Sequence, residues 1–500
     1  MDKIPLFPLH IFLILFCPCL TGPAQSPLLP SQPFMIMWAV PNKNCLGRPD
    51  PAAFGMEWEG RVAEFYEDSL GLYPYFSEAG QPVNGGLPQH TSLEHHLQKV
   101  EGDLAMTLPQ GVAPGLGVVR WEKWQPQWSR NRGKQRRFLE ASRALLRGFF
   151  PDWNAEEVEK WAQMDFEAAA QSILVETLRE LKRLRPQILW GVAPYPSCYN
   201  TDPTQKPLAN YTGRCPAAEM SLNDELIWLW KQSNALYPII TLEKFSDGTK
   251  GASNQIREAL RLAALAGTNF DLPVFPLVKS TYTSSSTFLT EADLVNTVGQ
   301  SAALGASGAI IWERFLSTKT QRTCSELSSY VRQVLGPYAV NVTTAARLCS
   351  KSLCQGRGRC VRKKPEDLVY LHLPHPQFLL VRQGAEGIWA MGKLPPGYLE
   401  VWRRDFRCQW FEALEGTAAD QQSQTTIKPT NDILGERTLV QTERTTVQTR
   451  GTAGRSEGPA IVAAMMPDEQ KTTVSGHSAN YVPSLLFCVL LFISLTNSNF

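Results

Sequence analysis

Glu122 lies at the end of the run Gly117-Val118-Val119-Arg120-Trp121-Glu122-Lys123-Trp124. The run reads as a buried strand that delivers one carboxylate among tryptophans. Such a carboxylate suits the cleavage of glycosidic bonds, which in most enzymes takes a pair of acidic groups around the scissile bond. Residues two apart in a strand share a face, so Arg120 and Glu122 should point the same way. The partner position on that face is then held by a cation. A cation favours the ionised carboxylate, whereas a general acid must keep its proton. It also brings positive charge to a transition state that is itself positive. Glu122 is therefore either a proton donor with a disabled neighbour or a structural ion-pair partner.

Other reactive-looking groups are less specific. Arg130, Arg132, Lys134, Arg136 and Arg137 place five cations within eight residues. This run suits either a landing strip for a polyanion or a solvated helix start. His95 and His96 are adjacent, without the helical spacing of a metal pair, and are read as surface residues. Cysteine pairing leaves no Cys or His cluster for zinc, so neither a metal nor a cofactor is expected.

Positioning such residues takes a scaffold. Strand-like apolar runs occur at 34–40, 116–121, 188–192, 237–242, 274–278 and 309–312. Helix-period segments fall between them at 92–106, 155–184, 222–233, 255–266, 291–303 and 325–335. Alternation over about 300 residues predicts an α/β fold with a parallel sheet, a (β/α) barrel first and an open doubly wound sheet second. No Gly-rich phosphate loop follows the first strand, which argues against a dinucleotide fold. The barrel segment is taken as 30–343.

With 43% hydrophobic and 10% aromatic residues the chain can bury a large core, and a net charge of +2 gives no reason to expect a nucleic-acid partner. The apolar run Ile4 to Leu20, followed by Thr21-Gly22-Pro23-Ala24, reads as a secretory signal over 1–24 with cleavage near Ala24. The tail Leu485 to Leu495 is short for a membrane span and follows small residues at Ser475, Gly476 and Ser478. Residues 476–500 thus read as a GPI-attachment signal or a short membrane tail. The expected location is the cell surface through a lipid anchor, with secretion as the alternative. Of eleven cysteines, Cys17, Cys19 and Cys488 lie in these end segments. The remaining eight imply four disulfides. Asn210 and Asn341 open glycosylation sequons. Residues 413–475 are rich in Thr, Gln, Ser and Gly and read as a disordered stalk.

Several landmarks in register resemble the animal hyaluronidases, glycoside hydrolase family 56. They are Leu72-Tyr73-Pro74-Tyr75, Val83-Asn84-Gly85-Gly86, Trp121-Glu122-x-Trp124, Cys198-Tyr199-Asn200, Leu226-Ile227-Trp228-Leu229-Trp230, Ala306-Ser307-Gly308 and the cysteines from Cys349 to Cys360. The resemblance implies a distorted (β/α) TIM-like barrel followed by a small disulfide-rich EGF-like unit over 344–412. Two cysteines usual there are missing, so that unit is expected to be incomplete. It also implies the pairs Cys45–Cys324, Cys198–Cys215, Cys349–Cys360 and Cys354–Cys408.

Family members hydrolyse the β-1,4 bond between N-acetylglucosamine and glucuronate in hyaluronan, and chondroitin more slowly. The substrate acetamide attacks its own anomeric carbon while a Glu protonates the leaving oxygen. Glu122 matches that proton donor. Tyr73, Tyr75, Trp121, Trp124 and Trp312 are expected along the substrate groove. The helpers are altered: Arg120 stands at the Asp position, Ala193 and Thr241 at tyrosine positions, Thr283 at an acidic position and Gln125 at an arginine position. Asp224 or Glu313 could supply a replacement carboxylate. The resemblance therefore implies a hyaluronidase with weak or absent hydrolysis. The alternatives are a glycosaminoglycan-binding pseudoenzyme and a surface adhesion protein.

Overall fold

The computed structural model describes residues 22–411, apart from 42–44, 46–48, 58–60, 112, 114, 199–214, 245–247, 284, 314–320 and 383–386. Most of the signal segment, Asn210, the stalk and the apolar tail lie outside the described residues. The strands in chain order are β1 Met35–Ala39, β2 Val62–Tyr66, β3 Tyr75–Phe76, β4 Pro82–Val83, β5 Gly115–Arg120, β6 Ile188–Ala193, β7 Ile239–Ile240, β8 Leu277–Lys279 and β9 Gly308–Trp312. They are followed by β10 Gly358–Arg362, β11 Phe378–Arg382, β12 Ile388–Gly392 and β13 Phe406–Trp410.

Seven strands form two parallel sheets, one ordered β1-β9-β8-β7 and the other β2-β5-β6. No ladder among the described residues closes them into one sheet, so the observed architecture is mixed α/β with two parallel sheets. Strand β2 has no counterpart among the expected strands. Its inward position 64 is a glutamate, which breaks the apolar alternation that marks a half-buried strand.

The two sheets nevertheless share an interior. One cluster of buried side chains unites Met35 and Met37 of β1, Leu116 and Val118 of β5, Ala193 of β6, Leu277 of β8 and Ile310 and Trp312 of β9. These are alternate positions along their strands, as period two requires. The opposite faces of the strands meet helices; Phe34, Ile36, Trp38 and Val40 pack on a second cluster with helical residues such as Ala302, Leu327 and Val342.

Backbone hydrogen bonds also cross between the sheets. Trp38 N–H donates to the Glu57 carbonyl at 2.7 Å, just before β2. Asn234 N–H donates to the Trp190 carbonyl of β6 at 2.7 Å. The second approach depends on Gly191, where an added Cβ would stand 2.3 Å from the Ala235 carbonyl oxygen.

The helix Ala155–Leu184 starts at a capping box in which Asn154 accepts from the Glu157 N–H and the Glu157 side chain accepts from the Asn154 N–H. The helix Gly336–Leu353 runs across the expected boundary at 343/344 and leads into two antiparallel pairs, β10–β13 and β11–β12. Residues on both sides of that boundary belong to one compact unit. Disulfides join Cys45–Cys324, Cys198–Cys215, Cys349–Cys360 and Cys354–Cys408. The first closes 279 residues, the length at which a cross-link most restricts the unfolded chain. Asn341 is half-buried on the Gly336–Leu353 helix, where its Oδ1 accepts from Leu373 N–H at 2.8 Å.

Gly191→Ala should destabilise the protein by about 1–3 kcal/mol, the usual cost of forcing extra volume into a packed interior. A lower urea midpoint at unchanged denaturant slope would register it.

Candidate active site

Arg120 ends β5, whose ladders set its neighbours: Tyr66 of β2 on one side and Ala193 of β6 on the other. Its side chain is 1% exposed. Nε and Nη2 both donate to Glu122 Oε1, at 3.0 and 2.8 Å. Nη1 donates to Glu64 Oε1 at 2.9 Å. The guanidinium carbon lies 4.3 Å from the centre of a Trp312 ring and 5.6 Å from that of Tyr66. One cation is thus clamped by two carboxylates and capped by aromatic faces.

The electrostatics follow from burial. Desolvation works against the Arg120 charge, but Glu122 and Glu64 outweigh it and hold the guanidinium above its ordinary pKa. At Glu64 burial dominates and lifts the carboxyl above its usual range, against the pull of Arg120. The Glu122 backbone is held as well, with its N–H 3.4 Å from Glu67 Oε1 and its carbonyl accepting from Gln135 Nε2 at 3.1 Å.

Glu64 is the residue that sequence reasoning missed. It lies 56 positions before Arg120 on the unrecognised strand β2. A carboxylate at an inward position of a short Val-x-x-Phe run would have been the only signal. Asp224 instead pairs with Arg261 at 2.7 Å on the surface. Glu313 accepts from Thr281 Oγ1 at 2.7 Å and Ser280 Oγ at 3.2 Å, with Lys279 Nζ at 3.8 Å.

Three expected groove residues lie beneath the surface, which corrects that expectation. Tyr73 is fully buried, and Trp121 and Trp124 are each 2% exposed. Tyr73 stacks between the two tryptophans, with centroids at 4.7 and 5.0 Å. Trp124 Nε1 donates to the Pro74 carbonyl at 2.7 Å. The stack is support for the loop that carries Tyr75. Tyr75 itself is half-buried, with Lys123 Nζ 5.7 Å from its ring centre. Trp312 is 6% exposed, and its indole N–H has no protein partner.

Among the positions expected to hold altered helpers, Ala193 is fully buried beside Arg120. Thr241 and Thr283 are exposed, and Thr283 N–H donates to the Leu242 carbonyl at 2.8 Å. Gln125 Oε1 accepts from the buried Tyr195 hydroxyl at 2.5 Å.

Two other expectations change. Arg130 is not part of a landing strip: it is buried and donates to Ser197 Oγ at 3.0 Å, Glu219 Oε2 at 3.0 Å and Asn223 Oδ1 at 2.9 Å. Arg132, Lys134 and Arg136 remain exposed, and Arg137 is half-buried, bonded to the Phe76 and Ser77 carbonyls. His96 is fully buried, not on the surface; His95 is exposed. His96 Nδ1 accepts from Leu72 N–H at 2.9 Å. Nε2 therefore carries the proton and donates to Thr177 Oγ1 at 2.8 Å, whose hydroxyl donates onward to the Ile173 carbonyl. This neutral imidazole fixes the start of the Leu72-Tyr73-Pro74-Tyr75 loop. Among the described residues no group of three or more His, Cys, Asp or Glu could hold a metal ion.

Replacing Arg120 with Met should cost about 3–5 kcal/mol, because Glu64 keeps a buried charge without its cation. Adding Glu64→Leu should recover most of that loss. Urea unfolding of the wild type, both single variants and the double variant measures the coupling. His96 gives a pH signature. Burial lowers it to about 4, from 6.5 in the unfolded chain. The unfolded state takes the proton first, so stability is whole above about pH 6.5 and falls as pH drops towards 4, by about 3 kcal/mol. His96→Gln should flatten this part of the pH dependence in unfolding experiments at pH 7 and 4.5.

Residues 23–423 match the family model described as hyaluronidase, of glycoside hydrolase family 56. Hyaluronidase-2 of Homo sapiens is 39% identical over 412 residues, covering 79% of this chain and 87% of that protein. A hyaluronidase of Crotalus adamanteus is 35% identical, covering 81% of this chain and 94% of its own length. Bee venom hyaluronidase, solved in complex with a hyaluronic acid tetramer, superposes with a TM-score of 0.57 at 29% identity, over 61% of this chain and 98% of that one. The chain belongs to the hyaluronidase family, glycoside hydrolase family 56.

Proposed function

We propose that this protein binds hyaluronan or a chondroitin-type glycosaminoglycan and hydrolyses it weakly or not at all. The observation that carries this reading is the double hydrogen bond from Arg120 to Glu122 Oε1. Glu122 matches the family proton donor. To protonate a glycosidic oxygen it must hold a proton and release it to the leaving group. Two charge-assisted bonds from one guanidinium instead occupy one of its oxygens. The positive charge that develops at the anomeric carbon would meet a second positive charge rather than the carboxylate it needs. Loss of one preorganised electrostatic partner costs about 10²–10³ in rate, and inversion of its sign more.

Retention of binding is supported by the mouth of the site. Gln135 Nε2 ties the turn Gly133–Gln135 to the Glu122 backbone carbonyl, and Arg132, Lys134 and Arg136 around that turn are exposed. Such a cluster attracts the carboxylates and sulfates of a glycan chain. Bee venom hyaluronidase, a relative of known structure, was solved in complex with a hyaluronic acid tetramer.

The two sheets are read as arcs of one distorted (β/α) barrel, supported by their shared interior and the hydrogen bonds between them. The segment 344–412 is read as an incomplete EGF-like unit. Four disulfides fit export. Glycosylation at Asn210 and Asn341 and a lipid anchor at the apolar tail belong to the same reading, which places the protein on the cell surface. Among the described residues no helix is long and apolar enough to cross a membrane.

Reducing-end release from hyaluronan, followed at acid and neutral pH, should fall at least about a thousandfold below an active family member. Turnover within tenfold of that member would overturn the reading. Arg120→Asp alone should not restore full activity, because Ala193 and Thr241 remain and Glu64 then adds a repelling charge. Reversing Arg132, Lys134 and Arg136 to Glu should abolish capture on immobilised hyaluronan at low salt. Raising the ionic strength should weaken capture of the wild type in the same direction.

A further inference from the structure

Residues 22–24 follow the apolar run directly and were assigned above to the export signal, yet they are built into the fold. Ala24 is 2% exposed. Its N–H donates to the Trp410 carbonyl at 2.7 Å, and it bridges Asp271 on one side and Phe411 on the other. The Pro23 carbonyl accepts from Asp271 N–H at 2.8 Å. The Asp271 carboxylate accepts from the Gly22 backbone and, at 2.9 Å, from Gln409 Nε2. Three residues thus form a strap wedged between the loop at Asp271 and the end of β13. Removing them would strip partners from Asp271, Gln409 and Trp410 together.

We propose that the exported chain begins at Gly22, with its new α-ammonium seated on the Asp271 carboxylate. The inference rests on the export reading given under the proposed function. Signal-peptide cleavage sites take small residues at the last position and the third from last. Thr21 and Cys19 meet that rule for a cut before Gly22. Water adds across the Thr21–Gly22 bond, so Thr21 leaves as a carboxylate and Gly22 keeps the amine, protonated below about pH 8. Glycine suits the position: a Cβ there would lie 2.9 Å from Asp271 Oδ1. Burial raises Asp271 to about 6, with Arg359, Gly22, Gln409 and Arg407 acting the other way. An ammonium in place of the amide N–H adds a further counter-charge to those of Arg359 and Arg407. A cut after Ala24, by contrast, leaves the first amine at Gln25, beyond all of these contacts.

Intact-mass and N-terminal peptide analysis of the full chain expressed in a secreting cell reads the start directly. Gly22 as the first residue is the expected result. A start at Gln25 overturns this inference alone, and a retained Met1 overturns the export reading as well. Exchanging the leader for one that cuts at a defined place gives chains starting at Gly22 and at Gln25. The Gln25 chain should melt about 2–4 °C lower. Asp271→Asn should lower the Tm of the Gly22 chain by more than that of the Gln25 chain, because the loss of charge beside Arg359 is common to both and the loss of the ammonium pair is not. Equal melting of the two starts would overturn the seating of the amine.

Discussion

A guanidinium that cannot lose its charge, set almost wholly out of water, governs the centre of this protein. Arg120 must be neutralised where it stands, because an uncompensated buried charge costs more than any single contact returns. Glu64 and Glu122 supply that neutralisation, and Trp312 covers the cation's flat face. The result is a polar network that satisfies itself. A catalytic site needs the opposite: donors and charges held ready for a substrate that has not yet arrived. Glu122 is tied into that network through one carboxylate oxygen.

Around this centre the scaffold is intact. Tyr73, Trp121 and Trp124 form a buried aromatic stack under the loop that presents Tyr75. His96, kept neutral by burial, holds that loop at Leu72. Arg130 knits the segment after Glu122 to Ser197, Glu219 and Asn223. These contacts fix the chain on either side of Arg120 and Glu122.

The limits of sequence reading are visible in particular residues. Helix Ala155–Leu184 was legible in full, because its apolar spacing and its Asn154–Glu157 cap are local signals. The pairing of Arg120 with Glu122 was legible too, although β5 ends at Arg120 and Glu122 lies two residues beyond it. Strand β2 was not, because an inward glutamate mimics the pattern of a loop. His96 and Arg130 looked like surface residues, since their satisfaction comes from Thr177, 81 positions away, and Asn223, 93 positions away. Tryptophans near a reactive carboxylate suggested a groove wall. Their burial depended on Tyr73 filling the space between them.

By itself, the sequence determined the family, the α/β alternation and the placing of Arg120 beside Glu122, all of which are written in local spacing and residue type. Only the tertiary structure decided what that arginine does. Its second carboxylate comes from a neighbouring strand, the space beside it from Ala193 on another, and its aromatic cover from Trp312 of the second sheet. A buried charge is neutralised by whatever the fold brings within hydrogen-bond reach, and that distance is set by sheet register and packing rather than by separation along the chain.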